Sequence, residues 1–73
     1  MLLTEVDIEK KVKVVSLYAH GLLRRRMLDL GIIPGTIIEV KRKSPLGDPI
    51  AYKIRDTIIA LRSEETNLIE VVM

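Results

Sequence analysis

The sequence predicts a mainly β domain, either a small, strongly bent barrel or two packed sheets, built from five short strands with one helix inserted after the first. Three observations predict it. Alternating apolar and polar runs begin at Lys11, Thr36, Ile50 and Thr57, with a shorter one at Leu68. Gly, Pro and Asp turn signals punctuate them closely. Between the first two runs, Leu23, Met27 and Leu30 recur at helical spacing. Such a helix is best buried as a plug at one end of the curved sheet, and closure also removes edges that could aggregate.

Leu3 and Val6 precede the first strand, Lys11 to Leu17, in which Val12 and Val14 point one way and Lys11 and Lys13 the other. Tyr18 to Gly21 connects it to a helix of about Leu22 to Leu30. Gly31 stands where helices close in the left-handed conformation, with Ile32 placed to fold back on Met27. Pro34 and Gly35 suit the central positions of a type II turn. Thr36 to Lys43 is then a strand whose Ile38 and Val40 alternate with Ile37, Glu39 and Lys41. Ser44 to Pro49, with two prolines and a glycine, is a loop. A hairpin follows, Ile50 to Arg55 and Thr57 to Arg62, turning at Asp56. Ser63 to Thr66 suits one helical turn capped by the Ser63 hydroxyl, and Leu68 to Val72 makes the last strand. The inward set is Val12, Val14, Ile38, Val40, Ile50, Tyr52, Ile54, Ile59, Leu61, Ile69 and Val71.

Seventy-three residues make one domain, near the size at which a single core barely offsets chain entropy. The chain compensates with 48% hydrophobic residues, almost all aliphatic, so it can fold without staples. Having no cysteine, it has neither disulfides nor thiolate metal sites, which suits a reducing compartment. The N-terminal residues carry acids and no long apolar run, unlike a secretory signal, and no stretch of about 18 apolar residues could span a bilayer. A soluble, cytoplasmic protein is expected. Twelve bases against ten acids leave a formal charge of +2, and the bases lack the interleaved aromatics that stack on exposed nucleobases, so nucleic acid is not the expected partner.

The residues offer little to catalysis. Nucleophilic chemistry needs an activated side chain beside a base, and the one histidine, His20, lies in a connector and reads as an exposed loop residue. Gly31, Gly35 and Gly47 are spaced as turn residues rather than as a phosphate-cradling loop. His20 with Asp29, Asp48 or Glu5 is too sparse a ligand set for a tight metal site, so no resident cofactor and no tight ferrous iron binding are expected.

Two features exceed what stability requires. Arg24, Arg25 and Arg26 crowd the helix start and Asp29 its last turn, both opposed to the helix dipole. They can be stems covering apolar surface with Asp29 paired to Arg25 or Arg26 one turn back, worth only tenths of a kcal/mol. Alternatively one arginine and Asp29 bond to the barrel while another arginine is offered to an acidic partner. Leu46, braced between Pro45 and Gly47 at a loop tip, is either an anchor for a partner pocket or a side chain folded down over the core. The partner surface is therefore expected at Leu46, Pro45, Arg24, Arg25 and Asp29.

Residues 23–36, LRRRMLDLGIIPGT, and 43–65, KSPLGDPIAYKIRDTIIALRSEE, resemble the FeoA family, over about Val12 to Val71. Asp56 departs from that pattern, which often has glycine in the hairpin turn. The resemblance implies an SH3-like five-stranded barrel with one inserted helix. It also implies a non-enzymatic accessory protein of bacterial ferrous iron uptake, acting with the membrane permease FeoB through its cytosolic GTP-binding region; a homo-oligomer is compatible with it. Within that reading docking is preferred to an arginine finger, because a flexible arginine in a crowded helix is a poor finger unless the complex orders it. The alternative is an SH3-like module related to the C-terminal domains of iron-dependent DNA-binding repressors, whose helix-turn-helix and metal ligands this chain lacks. A generic binder of proline-rich peptides would need more aromatics than Tyr18 and Tyr52.

Overall fold

A computed structural model describes residues 1–73. A 3-10 turn at Leu3–Glu5 precedes β1 (Lys11–Leu17), α1 (Gly21–Asp29), β2 (Ile37–Lys43), β3 (Ile50–Ile54), β4 (Thr57–Leu61), α2 (Ser63–Thr66) and β5 (Ile69–Val72). The strands pair antiparallel in the order β4-β3-β2-β1-β5. Ladder hydrogen bonding is not continued between β4 and β5, so the sheet curls without closing. It must curl, since all five strands deliver side chains to one cluster of 16 buried apolar residues. The free side of β5 is covered by Met1, whose carbonyl accepts from the Val71 N–H at 2.8 Å.

Local chemistry explains the helix and its exit. Gly31 has φ +91°, its N–H donates to the Leu28 carbonyl at 3.0 Å, and the Ile32 N–H donates to that of Met27 at 2.9 Å. These are the two bonds of a Schellman cap, and the apolar contact that accompanies it here unites Met27 and Ile32, both buried. Gly35 at φ +94° and a Thr36 N–H donating to the Ile33 carbonyl at 3.0 Å complete the type II turn. Gly31 also makes room: a Cβ there would lie 2.9 Å from Arg55 Nε. Gly31→Ala should therefore destabilise the fold by about 1–2 kcal/mol, through left-handed strain and displacement of Arg55. A urea midpoint equal to the parent's would refute that account.

Several details differ from the sequence reading. A bulge between Val14 and Ser16 changes the phase of β1, so Leu17 rather than Ser16 is the next buried residue after Val14. Ile59 is half-buried rather than core, packed against the buried cluster from β4, one of the two edge strands. Leu3, Val6, Ala19, Met27 and Ile32 complete the core from outside the strands. The hairpin turn places left-handed backbone on Arg55, at φ +58°, rather than on Asp56. Ser63 does not cap α2 with its hydroxyl: Arg62 holds the N-cap position, and the carboxylates of Glu65 and Asp48 accept from the free amides.

Candidate functional site

The loop between β2 and β3 is tied to α2, and α2 in turn to α1. Its neck closes with the Ser44 N–H donating to the Pro49 carbonyl at 3.2 Å, and the Gly47 N–H donates to that of Ser44 at 2.8 Å. Asp48 Oδ1 accepts from the Ser63 N–H at 2.9 Å, and Glu65 Oε1 accepts from the Arg62 N–H at 3.0 Å. Those two carboxylates satisfy amides that the start of α2 would otherwise leave unpaired. The other oxygen of Glu65 accepts from Arg26 Nη1 at 2.6 Å. Arg26 and Pro49 accordingly line one cleft beside Ala60, Arg62 and Glu64. Loop, α2 and α1 thus form a continuous edge.

Leu46 stands at the tip of this braced loop, 95% exposed, and does not fold over the core. The three arginines have three fates. Arg24 donates from Nη1 to the Leu17 carbonyl at 3.2 Å, which fastens α1 to β1. Arg26 pairs with Glu65, worth about 1 kcal/mol or less for so exposed a guanidinium. Arg25 is exposed and makes no ion pair or side-chain hydrogen bond. The expected pairing of Asp29 with Arg25 or Arg26 does not form: Glu65 engages Arg26 instead, and Asp29 is exposed without an ionic partner. Leu22, Arg25 and Asp29 fall on one helix face, where Leu22 is 88% exposed. Sequence reasoning named Pro45, Leu46, Arg24, Arg25 and Asp29 as one surface; it did not foresee that Asp48 and Glu65 bond to the start of α2, or that Leu22 stands exposed on α1.

His20 is the exposed N-cap residue of α1 and makes no capping bond with its side chain. No three His, Asp or Glu side chains converge where they could hold a metal. No helix is long and apolar enough to cross a membrane.

The FeoA domain family matches residues 1–73. The chain is 35% identical over 71 residues to a Porphyromonas gingivalis protein described as a fusion of Fe(2+) transport protein A and the Fe(2+) transporter FeoB. That match takes in 97% of this chain and 8% of the fusion protein. Among solved structures, iron(II) transport protein A from Clostridium thermocellum superposes with a TM-score of 0.93 at 37% identity, covering 97% of this chain and 44% of that one. FeoA from Stenotrophomonas maltophilia, crystallised with zinc and described as a prokaryotic SH3 domain protein, gives a TM-score of 0.86 at 28% identity. There 99% of this chain and 89% of the other are covered. The chain thus spans a small part of the curated relative and under half of the first of these structures.

Proposed function

The chain belongs to the FeoA family, and from that membership we propose that it is a non-enzymatic, cytoplasmic accessory protein of bacterial ferrous iron uptake. It docks on the cytosolic GTP-binding region of a FeoB-type permease through the loop–α1 edge. The P. gingivalis relative supports the pairing, since its FeoA-like segment and its transporter are one polypeptide. Leu46 is the observation that carries the docking face. The aliphatic side chain is 95% exposed and rises from a loop whose backbone is fastened at both ends. The backbone cost of ordering that loop is met before binding, which favours an anchor there. Arg25, free of internal partners, supplies the charge at the rim.

A pull-down with the permease's cytosolic domain, with GTP and GDP analogues in parallel, tests this reading. Capture in at least one nucleotide state is expected, and failure in both would end it.

A further inference from the structure

We infer that a second surface, on the outward face of β1, β2 and β3 at the far end of the hairpin from Leu46, docks a short acidic segment with an aliphatic anchor from a partner protein. This goes beyond the loop–α1 edge. Strand β2 has seven residues, so the two surfaces stand roughly 20 Å apart along it.

The surface is an open groove of about 580 Å³ between the sheet and the Ile33–Thr36 turn. Its size would suit a small molecule, but its chemistry would not: two of its nine lining residues are hydrophobic, whereas small-molecule pockets are mostly apolar. Those two are Ile33 and Ile37, both exposed. Around them stand Lys11, Lys53 and Arg55, with Glu39 the one carboxylate, so three positive charges face one negative. Register explains the arrangement, since Glu39 lies opposite Lys11 on one side and Lys53 on the other. The carboxylate is nevertheless engaged elsewhere, 3.6 Å from Lys41 Nζ. Lys11, Lys53 and Arg55 therefore have no ionic partner within the protein.

Arg55 is the telling residue. Its backbone is left-handed, φ +58°, a conformation that costs a non-glycine residue about 1–2 kcal/mol. Its stem lies across Gly31, where an added Cβ would come within 3.2 Å of Arg55 Cδ and 2.9 Å of Nε. Backbone and neighbour thus hold the guanidinium beside the groove, yet it makes no hydrogen bond inside the molecule. The two-residue turn between Ile54 and Thr57 requires that backbone, and it fixes the direction in which the side chain leaves the hairpin. A fork of donors held over two isoleucines complements a carboxylate next to an aliphatic side chain.

The test is a titration of the 15N-labelled full chain with an acidic pentapeptide bearing a central leucine, followed by amide shifts. Shifts should concentrate at Thr36, Ile37, Lys53 and Arg55. Arg55→Gly keeps the left-handed turn while removing the guanidinium, and should weaken binding about three- to fivefold, as should Lys53→Gln. Leu46→Asp should bind the peptide like the parent, which separates this surface from the permease-docking edge whatever becomes of the latter. The inference is overturned if a lysine-for-acid version of the peptide binds equally well, if Arg55→Gly binds like the parent, or if no shifts appear at millimolar peptide. Anionic phosphatidylglycerol vesicles bound through Arg55, with the peptide ignored, would overturn it in favour of a membrane surface.

Discussion

Leu46→Asp should abolish association with the permease's cytosolic domain while the protein remains folded. Leu46 is 95% exposed and outside the core cluster, so its replacement removes no internal contact and circular dichroism should match the parent. A leucine buried in a partner pocket contributes about 2–3 kcal/mol, on the order of 30- to 150-fold in affinity. An aspartate there also places an unpaired carboxylate in a desolvated pocket, at a further cost of several kcal/mol, which takes a micromolar complex beyond detection. Leu46→Ala should retain weak binding, because it omits the second penalty. Arg25→Ala should act differently, slowing association and flattening its salt dependence with little change in dissociation. Arg24→Ala is a less clean probe, since Arg24 Nη1 also holds the Leu17 carbonyl. Surface-binding kinetics at two salt concentrations make the comparison. Parental kinetics in folded Leu46→Asp would remove the anchor from the interface.

What the sequence made legible was local. Gly31 and Gly35 act through backbone geometry within four or five residues, so the helix cap and the type II turn could be read from spacing, and both formed. Strand alternation was legible for the same reason, and so was the inward set apart from Ile59. The phase change at Val15 was not, because a bulge depends on how β1 registers against β5, a partner more than 50 residues away. The fate of each arginine was hidden for a similar reason. Arg26 finds Glu65 across 39 residues and Asp48 finds Ser63 across 15, contacts that only the folded topology brings together. Dipole arguments could say that three arginines at a helix start were poorly explained locally, but not which one the fold would leave free. Arg55 was hidden in another way: glycine was sought at Asp56, while the turn placed its left-handed residue one position earlier.

Tyr52→Ala should remove much of the fold's stability, and Tyr52→Phe should separate two causes. Tyr52 is the largest fully buried side chain, 1% exposed, on β3 near the middle of the sheet and against Thr66 of α2, the one buried polar residue. Truncating a buried aromatic costs about 3–5 kcal/mol, against a total of roughly 4–11 kcal/mol for a domain of this size. The melting temperature should accordingly fall by roughly 15–30 °C, read by circular dichroism. A loss of a few degrees would mean that the core collapses around the gap. Tyr52→Phe keeps the ring and removes only the hydroxyl beside Thr66, so it should cost about 1 kcal/mol or less at neutral pH. Its larger effect should come in alkali. Burial raises the Tyr52 hydroxyl above its ordinary 10.0, hydrogen bonding from Thr66 partly offsets this, and the charge of Asp48 adds to the rise. Above pH 10 the unfolded chain releases this proton while the folded chain retains it, so stability is fully present below that pH and is lost as pH rises through the folded value. The phenylalanine variant lacks that term. Its stability should decline less steeply than the parent's between pH 9 and 11, and parallel decline in the two proteins would show that Tyr52 does not set the alkaline limit of the fold.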